Sequence, residues 1–453
     1  MKRLFDTTKT IVAISTPIGA GGISIVRMSG EKAIEIADKL FLALDGTRPS
    51  NFSNRVLNLG KFDGKMIKDK CLCVVFRAPN SFTGENMVEF QCHGGTQIAN
   101  GIMRECIAHG ARIATNGEFT KRAFLNGKVT LSSAEGMMDM INAESDAEVR
   151  AGYQLLSGNL SKLAYDSQNE LTDILSEIEV SFDYPEETIE YITKAKVKER
   201  LQTLSANMTK VIETSEVGKI IKSGINVLIV GKPNVGKSSL LNHLLQRDRA
   251  IVTDIAGTTR DTIEDSFMLD DIKINLIDTA GIHDTNDKVE KIGVDKAKNL
   301  MEQADIILFL VDSSRVYDKD DAEIYDSIQG KNYIVLKTKS DLKTENKQSF
   351  ENEIEISTTS GDGIDKLKQK MLELTKISNI PSDSLIITNE RHKNALIKAN
   401  EALTRAIENI SEDSLDLVSI DIKEAYVSIG EITGNTTSED IIDSIFTKFC
   451  LGK

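Results

Sequence analysis

Apolar positions in this chain follow two periods, and the change from one to the other marks out its parts. Four runs are almost continuously apolar and of strand length: Ile225-Asn-Val-Leu-Ile-Val230, Ile272-Lys-Ile-Asn-Leu-Ile277, Ile306-Ile-Leu-Phe-Leu-Val-Asp312 and Tyr333-Ile-Val-Leu-Lys-Thr338. Helical spacing lies between them, the pattern of a parallel sheet covered on both faces. Residues 1–118 read as α+β. Thr10–Ser15, Ile23–Arg27, Leu72–Phe76 and Met87–Gln91 are expected strands, and Glu31 to Leu44 has helical spacing. From about Thr120 to Ser215 the spacing is helical, broken at the acidic turn Asp183-Tyr-Pro-Glu-Glu187. Residues 385–449 return to amphipathic helix, with Ala395, Leu396, Ala399, Ala402, Leu403, Ala406 and Ile407 on one stripe. A stripe on so short a segment must be covered, and the helices of 120–215 are its natural partner. The turn-rich Asn379-Ile-Pro-Ser-Asp-Ser384 precedes it. The expected architecture is therefore multidomain: an α+β domain at 1–118, a discontinuous helical domain at 119–216 and 380–453, and an α/β domain at 217–379 inserted into it.

The inserted domain carries the chemistry. Gly231-Lys-Pro-Asn-Val-Gly-Lys-Ser238 fits G-x-x-x-x-G-K-[ST] at every fixed position, between a strand pattern and the helical pattern Ser239–Leu245. Backbone N–H groups of Asn234, Val235 and Gly236, and those opening the helix at Lys237, Ser238 and Ser239, are expected to close around phosphate oxygens. Lys237 should reach the β- and γ-phosphates and the Ser238 hydroxyl should ligate Mg²⁺. Further motifs follow in the order of a GTPase. Thr258 and Thr259 lie in Gly257-Thr-Thr-Arg-Asp261; Thr259 is the expected Mg²⁺ ligand that closes over the γ-phosphate. Asp278-Thr279-Ala280-Gly281 ends a strand, with Asp278 placed to hold Mg²⁺ through water and the Gly281 N–H to meet the γ-phosphate. Thr338-Lys339-Ser-Asp341 offers a carboxylate for two hydrogen bonds from guanine, and Ser357-Thr358-Thr359 stands where a second base-contacting loop belongs. This predicts an inserted P-loop G domain of Ras-like type. Two positions depart from the usual motifs: Thr338 replaces Asn, and Thr358 replaces Ala. The residue after Gly281 is Ile282, where Ras-like GTPases place a Gln, and an apolar side chain cannot orient water.

Composition narrows the function classes. The 453 residues carry a net charge of −14 and 40% hydrophobic content, enough for several cores but not for a globally electrostatic grip on nucleic acid. There is no apolar run of 18 or more residues and no apolar leader after Met1. The five cysteines, Cys71, Cys73, Cys92, Cys106 and Cys450, are scattered, which favours a reducing compartment. A cytoplasmic protein with no membrane span is expected. Cys71 and Cys73 alternate in a strand pattern and read as packing positions.

Outside the inserted domain, three stretches are distinctive. They are Asp6-Thr-Thr-Lys-Thr-Ile-Val-Ala13 with Pro17–Gly30, Ala78–Gly95 with Gly117-Glu-Phe-Thr-Lys-Arg-Ala-Phe-Leu-Asn-Gly-Lys128, and the terminus Phe449-Cys-Leu-Gly-Lys453. With them the whole chain resembles the MnmE (also called TrmE) family of tRNA-modification GTPases. The resemblance implies a homodimer held by the N-terminal domains, with nucleotide-dependent pairing of G domains. It implies a site for 5-formyl- or methylene-tetrahydrofolate, with Arg27, Glu89, Lys128 and Lys453 at its contacting positions. It further implies a flavoprotein partner, MnmG, in a two-plus-two heterotetramer. Together they would modify C5 of the tRNA wobble uridine, U34, with an aminomethyl or carboxymethylaminomethyl group built on a folate one-carbon unit.

Further site roles follow from the same resemblance. Glu290 matches the water-orienting acid. Asn234 matches a K⁺ ligand, with oxygens of Thr253, Ile255 and Thr258 completing an oxygen-only cage. Arg260 is the rival, as an arginine finger within the chain. Cys450 has two readings, a functional thiol beside the folate or a packed residue beside Phe446 and Phe449. Two other functions stay open: a switch-type GTPase of ribosome assembly that performs no modification, and a phosphoryl-transfer ATPase, which Asp341 disfavours.

Overall fold

A computed structural model describes residues 9–17, 19–183, 194–248, 265–277, 300–374, 385–411 and 415–452. It divides into two compact units, one drawn from 1–138, 155–187 and 422–453, the other from 139–154 and 188–421.

The first unit is built on a seven-stranded sheet. Its strands are β1 (Ile11–Ile14), β2 (Ile23–Ser29), β3 (Phe41–Ala43), β4 (Asn58–Asp63), β5 (Lys68–Phe76), β6 (Met87–His93) and β7 (Arg112–Ile113), in the order β3-β4-β5-β6-β2-β1-β7. All pairings are antiparallel except β1 with β7. Alternation decides the faces. Val26, Met28, Phe62, Cys71, Cys73, Phe90 and Cys92 point into a core shared with the helices Ala33–Leu40 and Thr96–Ala108. Cys71 and Cys73 are thus packing residues, as their spacing suggests. Helical spacing over Glu31–Leu44 overshoots the helix, which ends at Leu40. Phe41 instead pairs with Phe62 across β3 and β4, its ring edge-on to Phe52 at 6.1 Å. Sheet pairing and aromatic burial there outweigh local helical spacing.

The helix Glu118–Leu125 is fastened to this sheet by buried charge. The Arg122 guanidinium, 2% exposed, donates to Glu118 at 2.9 Å, to Glu85 at 2.9 Å and to the Lys9 carbonyl at 2.9 Å. Glu118 also accepts from Arg112 and from the Thr115 amide. Beyond it, Leu131, Ala134, Ile442, Phe446 and Phe449 form a smaller core.

In the second unit, helix Glu390–Ser411 lies against helix Lys194–Glu213, with a Ser205–Asn400 side-chain bond of 2.8 Å. Ala395, Leu396, Ala399, Ala402, Leu403 and Ala406 are all buried, so the stripe finds its cover where the sequence predicts. The sheet of this unit has strands β8 (Ile225–Val230), β9 (Asp265–Leu269), β10 (Ile272–Ile277), β11 (Ile306–Asp312), β12 (Tyr333–Thr338) and β13 (Glu353–Glu355), in the order β13-β12-β11-β8-β10-β9. It is parallel except for the edge strand β9. Two apolar clusters, one on each face, bury the alternate residues of β8 and β11. That explains why those strands are almost continuously apolar. The carboxyl ends of β8, β10, β11 and β12 consequently open on one edge, where ligands bind in such sheets.

Candidate functional site

At that edge β8 ends at Val230 and the helix Lys237–Asp248 begins seven residues later. Gly231 stands at φ +150°, and a Cβ there would lie 2.6 Å from the Leu310 carbonyl oxygen. Asn234 is held at φ +63° and Gly236 at φ +106°. These left-handed turns wrap the backbone into a ring whose N–H groups sit before the positive end of a helix. Lys237 folds back so that its Nζ donates to the Gly231 carbonyl at 2.7 Å, across the space a phosphate would take. Asn234, Ser238 and Ser239 are exposed, while Val235 is buried.

The second loop leaves β12. Thr338 is 4% exposed, and its hydroxyl donates to the Val235 carbonyl at 2.7 Å and approaches that of Val311 at 3.3 Å. The hydroxyl that stands in place of Asn ties the second loop to the phosphate loop. Lys339 follows at φ +58°, its Nζ on Asp312 at 2.6 Å. Asp341 is exposed, and its Oδ1 accepts from the Ser357 hydroxyl at 2.7 Å. Ser357 is itself buried, with its hydroxyl taking the Ser360 amide. Thr358 is half-buried and Thr359 exposed on the turn that follows. Two segments 16 residues apart thus meet in one place, and the serine fixes the plane of a carboxylate suited to the N1–H and amine of guanine.

Several expected site residues lie outside the described residues: Thr253, Ile255, Thr258, Thr259, Arg260, Asp278, Thr279, Ala280, Gly281, Ile282, Glu290 and Lys453. Among the described residues no group of three or more His, Cys, Asp or Glu side chains gathers to hold a metal.

A second cluster lies on the sheet of the first unit. Arg27 and Glu89 are cross-strand partners on the face opposite the helices, joined Nε to Oε1 at 2.7 Å. The Arg27 guanidinium also stands over the rings of Phe82 at 5.9 Å and Phe119 at 5.8 Å. Lys128 is exposed, its stem beside Gly84. The C-terminal segment comes back to this sheet: Ser15 donates to the Gly452 carbonyl at 3.0 Å and the Gly117 amide reaches the Cys450 carbonyl at 3.4 Å. Cys450 is the exposed thiol of the five. Burial pushes Cys71 up to about 12 and Cys92 up to about 11, and raises Cys73 and Cys106 as well, so those four are poor nucleophiles.

A glycine loop from strand to helix, a lysine across it, and a serine-braced aspartate at the carboxyl edge of a parallel sheet define a P-loop protein of the GTPase class. Two family models match the chain: the GTP-binding protein TrmE N-terminus over residues 10–128 and the MnmE helical domain over residues 131–450, a span that includes the nucleotide domain. The tRNA modification GTPase MnmE of Clostridioides difficile is 42% identical over 98% of this chain and 99% of its own length. That of Lactobacillus gasseri is 41% identical over 100% of both. Among solved structures, Aquifex aeolicus Era bound to GDP.AlF4- aligns at 30% identity over 39% of this chain and 66% of its own, with a TM-score of 0.27. The chain belongs to the MnmE family of tRNA modification GTPases. Among the described residues no helix is long and apolar enough to cross a membrane.

Proposed function

We propose that this protein hydrolyses GTP to drive modification of the wobble uridine of tRNA at C5, acting with the flavoprotein MnmG and a folate one-carbon unit. The observation that carries the nucleotide part is the joined pair of loops. Thr338 holds the phosphate loop through Val235, and Asp341, braced by Ser357, stands exposed beside it. Asn234, Val235, Gly236, Lys237, Ser238 and Ser239 take the phosphates, and Asp341 reads the base. Thr253, Thr258, Thr259, Asp278, Thr279, Ala280 and Gly281 complete the site, and Glu290 orients the water. The domains are those at 1–118, at 119–216 with 380–453, and at 217–379.

The donors present fit hard cations: a hydroxyl at Ser238 and an amide oxygen at Asn234. Mg²⁺ supplied there, on Ser238 and Thr259, and K⁺ on Asn234 and oxygens of Thr253, Ile255 and Thr258, would neutralise charge developing on the phosphates. The folate reading is supported by the Arg27–Glu89 pair and by the docked terminus that presents Cys450; Lys128 and Lys453 are assigned to its acidic tail. Dimerisation through the N-terminal domain is supported by the outer sheet face, where Ile23 is 64%, Leu59 43% and Leu42 39% exposed.

GTP turnover at constant ionic strength in K⁺, Na⁺ and Cs⁺, with Asn234→Ala and Arg260→Ala alongside, tests the cation assignment. Turnover specific to K⁺ and lost with Asn234 is expected. Equal turnover in K⁺ and Na⁺, or loss with Arg260 alone, would hand the role to the arginine.

A further inference from the structure

Asp312 closes β11 at the edge that carries both nucleotide loops, and it is 5% exposed. Its oxygens are fully engaged. Oδ1 accepts from the Ser314 amide at 2.9 Å and the Ser314 hydroxyl at 2.6 Å. Oδ2 accepts from Lys339 Nζ at 2.6 Å, with Arg315 Nε at 3.3 Å. Burial works against this charge, but the donors from Lys339 and Ser314 outweigh it and hold the carboxyl below its usual range. It is ionised at neutral pH. In register Asp312 faces Thr338, so the residue it grips comes immediately after the one that holds the phosphate loop. Lys339 also sits in the left-handed region, at φ +58°, two residues before Asp341.

We propose that Asp312 is a positioning residue of the guanine site and acts through Lys339. By taking up the ammonium it lays the four-carbon stem of the lysine flat beside Asp341, as an apolar wall on which the purine ring rests. This rests on reading Asp341 as the guanine contact. A lysine without this anchor regains its rotamers, and its ammonium turns to water or to the phosphates. Base binding weakens while the reacting groups stay where they were. The loss therefore falls on affinity rather than on kcat.

The test is a cycle in the full chain with Asp312→Asn, Lys339→Met and the double variant, reading GDP dissociation constants by fluorescent-nucleotide titration and GTP turnover. Asp312→Asn is expected to weaken GDP about tenfold, from the loss of one charge-assisted bond, and to leave kcat within about twofold. Inosine diphosphate should weaken by the same factor, because the Asp341 contact is untouched. In the Lys339→Met background Asp312→Asn should add no further loss; additive losses, or an unchanged GDP affinity, would overturn the proposal. Arg315→Ala serves as control and should bind GDP as the parent does, since Asp312 keeps Lys339 without it; a tenfold loss there would overturn the route through Lys339. If Asp312→Asn alone does not fold, the double variant, which leaves no buried charge unpaired, is compared with Lys339→Met; equal affinities support the proposal and a further tenfold loss refutes it. A parent protein that binds GDP and ADP alike removes the guanine reading, and the proposal with it. A parent selective for GDP whose Asp312→Asn variant binds equally well overturns the proposal alone.

Discussion

Replacing Thr338 by valine removes one hydroxyl and almost no volume. The site is 4% exposed, so no water enters to replace the bond. The Val235 carbonyl, which Thr338 meets at 2.7 Å, loses its side-chain donor inside the fold. Leaving a buried acceptor unpaired costs about 1–3 kcal/mol. Part of that cost falls on the folded state at large. The rest falls on the phosphate loop, whose middle residue the bond holds in place. If half to all of it is recovered only when the loop is ordered by phosphates, GDP affinity should fall by about 0.5–3 kcal/mol, roughly two- to 140-fold. The assay is titration of fluorescent GDP against Thr338→Val and Thr338→Asn, with guanosine as a phosphate-free competitor. Thr338→Asn should bind nearly as the parent does, because its amide can donate to the same carbonyl. Guanosine binding should change little. A Thr338→Val protein with unchanged GDP affinity and a lowered melting temperature would show that the bond serves stability alone, and the reasoning would fail.

Other outcomes follow from the same contacts. Asp341→Asn should move preference from guanine to xanthine nucleotides, since the amide reverses the donor pattern offered to the base; competition between GDP and XDP decides it, and retained guanine preference refutes the assignment. Iodoacetamide at mildly alkaline pH should label Cys450 alone in the folded protein, and Cys450→Ser should keep GTP turnover while abolishing modified wobble uridine; normal modification in that variant would return the residue to packing. Glu118 resists burial through donors from Arg112, the Thr115 amide and Arg122, which hold its carboxyl below the usual range. Its contribution to stability is present above the unfolded value, near pH 4.3, and is lost as pH falls through the lower folded value. Glu118→Gln should therefore flatten acid unfolding of the first unit and destabilise it at neutral pH by about 1.5–3 kcal/mol, because Arg122 keeps Glu85 but loses the charge of its other carboxylate partner; an unchanged acid midpoint would contradict this.

The four central strands of the nucleotide domain were legible to the residue, because strands buried on both faces are almost continuously apolar and of strand length. The covered stripe on helix Glu390–Ser411 was legible for the complementary reason: one polar face, one apolar. β3 and β4 were not. Asn58–Asp63 alternates weakly, and Phe41–Ala43 continues a helical pattern until a distant strand captures it. The phosphate loop, Lys237 and Asp341 carry fixed spacing, which survives in one sequence. Asp312 carries none: an aspartate ending an apolar strand is ordinary until the fold sets Lys339 against it. Thr338 reads in sequence only as a departure from the motif, and its geometry shows that the hydroxyl bonds the Val235 carbonyl of the phosphate loop. The Arg27–Glu89 pair could be named from the family resemblance, but its stacking on Phe82 and Phe119 depends on packing between distant segments.

The central claim joins a phosphate-binding loop to the chemistry of tRNA. It is tested most directly by mass spectrometry of wobble nucleosides from cells that lack the protein and are complemented with the parent chain or with Lys237→Ala. The account predicts that the parent restores the C5 modification and that Lys237→Ala, folded and present at the same level, does not. Full restoration by Lys237→Ala, or wobble uridine left unmodified by the parent chain itself, would contradict it.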